Sequence, residues 1–122
     1  MKKTAIQLPP QSEKEFQSMV IQLARLNCWT VTHFRPARTL HGWATPVEAD
    51  GAGFPDLVLT RTLINHRTKE VSARLLFVEC KRNGAYPTAA QQSWLDALRH
   101  VRGVEVHLLR PEDWPFIETL LA

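Results

Sequence analysis

Asp56, Glu79 and Lys81 are the residues of this chain best placed to do chemistry. Asp56 closes the turn Gly53-Phe54-Pro55-Asp56 ahead of the apolar run Leu57-Val58-Leu59, and Glu79-Cys80-Lys81 ends the run Leu76-Phe77-Val78. A charged side chain half-buried at the end of a β run is costly unless it has a task. Side chains alternate along a strand, so Glu79 and Lys81 share a face about 6.6 Å apart, while Val78 and Cys80 share the other. Pro55 cannot donate to a β ladder and belongs at the start or edge of a strand, which puts Asp56 where the sheet opens to solvent. From there its carboxylate can meet that of Glu79 across neighbouring strands. Two hard oxygen donors, completed by a backbone carbonyl and water, suit Mg2+ or Mn2+ better than zinc. A lysine beside such an ion can orient or deprotonate a water, or stabilise charge growing on a phosphate under attack. The pattern predicts hydrolysis of phosphodiesters.

The flanking sequence says how these groups are held. Residues 1–11, closed by Pro9-Pro10, read as a flexible lead-in, and residues 12–122 as one domain. Ser12 is a good N-cap with Glu15 at capping-box spacing, and Phe16, Met19, Val20, Leu23, Ala24 and Leu26 trace an apolar helical stripe. Glu15 thus has a local structural task. Glu13, three residues ahead of Phe16, is free to reach the site, against a plain reading as an exposed first-turn acid. Residues 29–34 alternate as a first strand. The connection from there to Pro55 has little periodicity, and irregular stretches beyond roughly 12–15 residues are usually functional or disordered. Within it Arg35, Arg38 and His41 could grip phosphates and Trp43 could stack on an unpaired base; a solvated basic loop is the alternative.

Residues 56–60 and 74–80 are expected to form two further strands, joined as a hairpin through the polar segment containing Asn65-His66-Arg67-Thr68-Lys69-Glu70. After Arg82-Asn83-Gly84, the spacing of Thr88 and Gln91 is again that of a capping box. Trp94, Leu95, Leu98 and Val101 give the helix a buried face, and Gly103 lets the chain turn into a strand over 104–109 and a terminal helix over 112–121. A helix followed by a strand implies a crossover. The expected fold is therefore α/β, a mixed central sheet flanked by helices on both faces in the order αβββαβα.

Taken together, Asp56 and the Glu79-Cys80-Lys81 element resemble the PD-(D/E)XK nuclease superfamily. Ser12-Glu13-Lys14-Glu15-Phe16-Gln17, the Gly-Phe-Pro-Asp turn, the Glu-Cys-Lys strand, Thr88-Ala89-Ala90-Gln91-Gln92-Ser93-Trp94-Leu95 and Gly103-Val104-Glu105-Val106 look like the VRR-NUC domain in its stand-alone virus or bacterial form, over residues 12–121. The resemblance implies a restriction-endonuclease-like fold and a Mg2+- or Mn2+-dependent DNA endonuclease. The ion would sit on Asp56, Glu79 and the backbone of Cys80. The resemblance also favours Glu13 as the supporting acid, and sets Gln91 at the active-site rim, against its local reading as a cap. Stand-alone members are associated with dimers and four-way Holliday junctions, whereas the domain attached to larger eukaryotic proteins works on flaps. A lone site cuts one strand, so symmetric cutting of two strands requires a two-fold dimer. The expectation is a structure-selective homodimeric nuclease for branched DNA; a flap or nicking nuclease and a catalytically inactive nucleic-acid-binding module are the alternatives.

Composition agrees and excludes other classes. The chain has 122 residues, 44% of them hydrophobic, enough for one domain and one core. Fifteen Lys and Arg against 12 Asp and Glu leave a formal charge of +3, compatible with a polyanionic partner without requiring one. His33, His41, His66, His100 and His107 show no H-E-x-x-H spacing, and neither a P-loop nor a G-x-S-x-G elbow occurs. Cys28 and Cys80 read as buried free thiols. Met1-Lys2-Lys3 is followed by an apolar stretch broken by Gln7 and Pro9-Pro10, so no secretory h-region forms and a cytoplasmic setting, that of the host cell for a viral protein, is expected.

Overall fold

Ser12 starts the first helix as its spacing predicts: its hydroxyl accepts from the Glu15 N–H at 3.1 Å, and α1 runs over Glu13–Leu26. The computed structural model describes residues 11–34, 37–39, 42–44 and 49–122, with backbone alone at 37–39 and 42–44. Residues 1–10 of the expected 1–11 lead-in, Arg35 and His41 lie outside the described residues. Phe16, Val20 and Ala24 are buried along α1, but Leu26 is 79% exposed and Met19 points largely outward. The inward stripe is therefore narrower than the apolar positions suggest.

After α1 come β1 (Thr30–His33), β2 (Ala37–Thr39), β3 (Gly42–Ala44), β4 (Leu57–Ile64), β5 (Val71–Cys80), α2 (Ala89–Arg99), β6 (Val104–Leu109), a 3-10 turn (Pro111–Asp113) and α3 (Trp114–Leu121). The main sheet has the order β1-β4-β5-β6. β1 is antiparallel to β4 and β4 to β5, while β6 lies parallel to β5, reached through the α2 crossover. The described residues thus form a mixed α/β domain with a four-stranded mixed sheet and three α-helices. The expected order αβββαβα omits the antiparallel pair β2 and β3. Two strands of three residues are too short to show the alternation by which a strand is recognised.

The β4–β5 register pairs Leu57 with Val78 and Leu59 with Leu76, and these residues share one core with Cys80, Phe16, Val20, Ala24, Ile117 and Leu120. Cys80 therefore faces the α1 and α3 side, as alternation requires. Phe77 points the opposite way, where Phe54 lies edge-on to Phe77 and to Trp94 of α2 at centroid distances of 5.9 and 5.1 Å. Helices accordingly cover both faces. Cys28 departs from expectation: it adopts φ 66 and is exposed, and Trp29 after it enters the core instead.

The last carbonyls of a helix lack partners within it. Those of α3 are met by donors from the sheet side: Trp29 Nε1 and Arg61 Nη1 reach Leu121 O, Arg74 Nη1 reaches Leu120 O, and Arg61 Nη2 reaches Ala122 O. Both guanidiniums also lie over the Trp29 ring, at 4.4 and 5.1 Å, and their charges suit the negative end of the helix dipole. Arg74 completes a two-bond pair with Glu105, which holds that carboxyl below its ordinary value. Among the described residues no helix is long and apolar enough to cross a membrane.

Gly53 ties the turn before Asp56 to the start of α2. Its φ is +82, and a Cβ there would stand 2.6 Å from the Ala90 carbonyl carbon and 2.7 Å from the Gln91 nitrogen. Strained φ and overpacking each cost about 1–3 kcal/mol. Gly53→Ala is therefore expected to destabilise the protein by about 2–4 kcal/mol, read as a lower urea midpoint at unchanged slope; a shift under about 0.5 kcal/mol, the range of neutral surface changes, would contradict this packing.

Candidate active site

Asp56 immediately precedes β4, and Glu79 is the penultimate residue of β5. Extending the pairing of Leu57 with Val78 by one step sets Asp56 opposite Glu79. Directly opposed side chains of antiparallel strands are near neighbours on one face. Glu13 comes in from the first turn of α1. One carboxylate oxygen each of Glu13, Asp56 and Glu79 lie within 4.8 Å of one another, and Lys81 Nζ stands 3.9 Å from Glu79 Oε1. Lys81 follows the end of β5, where its N–H donates to Leu109 O of β6 at 3.0 Å. The Cys80 N–H donates to Asp56 Oδ2 at 3.2 Å, so Cys80 enters the site through its backbone while its thiol is buried in the core. Glu79 is fully buried and Lys81 is 8% exposed.

Such a cluster is electrostatically unfavourable unless something positive sits in it. Burial raises all three carboxyls. For Glu79, burial acts first and the neighbouring Asp56 charge second; Lys81 opposes them, and the result is about 8. Asp56 is raised less clearly because the Cys80 N–H, Glu79, Lys81 and His33 all favour its charged form. In Glu13, burial and Asp56 act against Lys81 and Arg82. Taken as a carboxylate, Glu79 has both oxygens buried with no hydrogen-bond partner. Below about pH 8 its proton can bridge to Asp56 instead. Orphaned buried oxygens of this kind fit a divalent cation: three oxygen donors are the hard ligand set that Mg2+ and Mn2+ accept.

Other expected site residues are placed differently. Gln91 completes a reciprocal capping box with Thr88: Gln91 Oε1 accepts from the Thr88 N–H at 2.8 Å, and the Gln91 N–H donates to Thr88 Oγ1 at 3.2 Å. Its carbonyl is therefore committed to the helix end. Arg38 lies on β2 with its side chain outside the described residues, as is that of Trp43 on β3, so the expected phosphate grip of Arg35, Arg38 and His41 belongs to that undescribed region. The structure adds two groups that sequence reasoning passed over. His33, paired with Leu57 across β1 and β4, is close enough to lower Asp56, and Arg82 acts on Glu13. His33 is far from Asp56 along the chain, and only the strand register reveals the proximity.

Comparison with known proteins gives no match: no family model, no curated protein and no solved structure matches this chain. The functional reading accordingly rests on these residues and their geometry.

The raised Glu79 fixes the sign of a pH effect. Because its folded value of about 8 exceeds the ordinary 4.5, the folded state binds more protons between those limits, and stability falls as pH rises through them. The contribution is complete below about 4.5 and gone above about 8. In EDTA, the melting temperature of the parent protein should drop by several degrees relative to that of Glu79→Gln across this window. Parallel pH profiles for the two proteins would remove the buried, proton-holding carboxyl.

Proposed function

We propose that this chain is a divalent-metal-dependent DNA endonuclease of the PD-(D/E)XK type, similar to stand-alone VRR-NUC domains. The observation that carries the reading is the convergence of Glu13, Asp56 and Glu79 within 4.8 Å, with Lys81 beside them and both Glu79 oxygens buried without a donor. The αβββαβ path of the main sheet, with two antiparallel neighbours and one parallel, supports a restriction-endonuclease-like core. In this proposal Asp56, Glu79 and the Cys80 carbonyl hold Mg2+ or Mn2+, with Glu13 as a further carboxylate. The bound ion supplies Lewis acidity toward the phosphate and lowers the pKa of a water. Lys81 positions that water and offsets charge on the phosphate oxygens. Asp56 is kept in place by the Cys80 N–H, and the half-buried wall of Phe54, Phe77 and Trp94 rings backs the turn that carries it.

A domain of this size offers limited surface for reading bases, so backbone shape is the substrate determinant that this proposal favours. Four-way junctions or other branched DNA, engaged by a homodimer with two sites, fit this reading. The test is cleavage of junction, flap and linear duplex DNA in Mg2+ by the parent protein, Glu79→Ala and Lys81→Ala. Both variants should lose at least about a hundredfold in rate, with the junction the best substrate of the parent. Undiminished cleavage by both variants would discard the mechanism. Tight DNA binding with no cleavage by the parent under Mg2+ or Mn2+ would favour a catalytically inactive nucleic-acid-binding module.

A further inference from the structure

Five residues beyond Lys81 an aromatic ring stands in solvent on a fixed support. Tyr86 is 80% exposed, yet the Arg110 guanidinium lies over its ring, with Cζ 5.3 Å from the centroid. Arg110 is itself anchored, because Nε and Nη2 both donate to Ala85 O at 3.0 and 2.7 Å. The loop beneath is braced as well: the Ala85 N–H donates to Arg82 O at 3.1 Å, and the Glu112 N–H donates to Asn83 Oδ1 at 3.1 Å. Arg110 directly follows Leu109, the residue whose carbonyl receives the Lys81 N–H. Ring and guanidinium therefore grow from the same two strand ends that place Lys81.

Packing does not account for this arrangement. A tyrosine with one face against a cation and the other in water buries little apolar area, and its support spends two arginine donor positions on holding a surface ring in one orientation. The cation against the ring is Arg110; Lys81 and Arg82, earlier in the same loop, act on the acidic cluster. Of the adjacent acids, Asp113 is turned inward onto the Arg110 N–H at 2.9 Å, and Glu112 is exposed. A pre-oriented ring with one open face, backed by an arginine, matches the requirements of a nucleobase joined to phosphates: stacking is worth about 1–3 kcal/mol per base and is tolerant of sequence, and arginine suits phosphate oxygens.

We propose that Tyr86, held by Arg110, is a stacking subsite for an unpaired base of the DNA strand that passes Lys81. The inference rests on the nuclease reading above and gives it a preference for substrates with unpaired bases near the cut. Five residues span at most about 17 Å and bases along a strand rise about 3.4 Å, so the stacked base lies within about five nucleotides of the scissile phosphate.

The experiment compares a blunt DNA duplex with the same duplex carrying a short single-stranded tail, in EDTA so that nothing is cut. A 2-aminopurine in the tail reports stacking by loss of its fluorescence. The parent, Tyr86→Phe and Tyr86→Trp should bind the tailed duplex more tightly and quench the probe. Tyr86→Leu should lose at least about fivefold of that preference, leave the probe bright and keep blunt-duplex affinity and melting temperature unchanged. Retention of the preference by Tyr86→Leu, an equal loss on both duplexes, or a loss shared by Tyr86→Phe and Tyr86→Trp would overturn the subsite. With DNA still cut by the parent in Mg2+, such a result removes the subsite alone; a parent protein that neither binds nor cuts DNA removes the nuclease reading with it.

Discussion

Two carboxylates driven together in a place that water hardly reaches repel each other, and the β4–β5 register compels Asp56 and Glu79 to adopt that position. Leu57 against Val78 and Leu59 against Leu76 are core pairs, so moving the register by one residue would turn the whole apolar set outward. The hydrophobic effect thereby enforces an electrostatic conflict that the two acids would avoid in isolation. Glu79 meets the conflict by keeping its proton to about pH 8; a cation would meet it by taking the proton's place. Lys81 lessens the conflict without ending it, since its ammonium reaches one Glu79 oxygen only at 3.9 Å and the other keeps no partner.

The remaining elements serve that pair at both ends of the hairpin. At the site end, α1 brings in Glu13, β6 receives the Lys81 N–H, and the loop before Asp56 rests on α2 through Gly53. At the far end, Arg61 and Arg74 grip the last carbonyls of α3 and enclose Trp29. The far end ties α3 to the sheet and the near end gathers the acids. β5 belongs to both, with Leu76, Val78 and Cys80 in the core and Glu79 and Lys81 in the acidic cluster.

Much of this was legible in the residues because it depends on strand alternation and helix caps, which are local. The common face of Glu79 and Lys81, the inward Cys80 thiol and the Thr88 cap follow from spacing of two to four residues, whereas Glu13 and Glu15 stayed open as the acid near the site until the fold placed Glu13 in the cluster. Features set by register or by distant packing were not legible. His33 comes near Asp56 only because β1 pairs with β4, β2 and β3 are too short to alternate visibly, and Cys28 is turned out by a positive φ that its neighbours do not announce. Gln91 carried two readings, and its side-chain oxygen went to the helix end. The outward Met19 and Leu26 show the limit of apolar patterning: a stripe marks which face is buried, while the size of the partner surface decides how wide it is.

The close approach at Gly53 has a consequence for how such a chain can diverge. What blocks a larger residue there is mainly backbone, the Ala90 carbonyl carbon and the Gln91 nitrogen, so shrinking a side chain opposite would open no room. No compensating exchange is available, and the turn and the first coil of α2 must persist as a unit or be lost as a unit. Drift in what the surface around the acids accepts is then left to segments unconstrained in this way. The stretch after Lys81 is one of them, with Arg82, Asn83, Gly84 and Tyr86 all exposed to solvent.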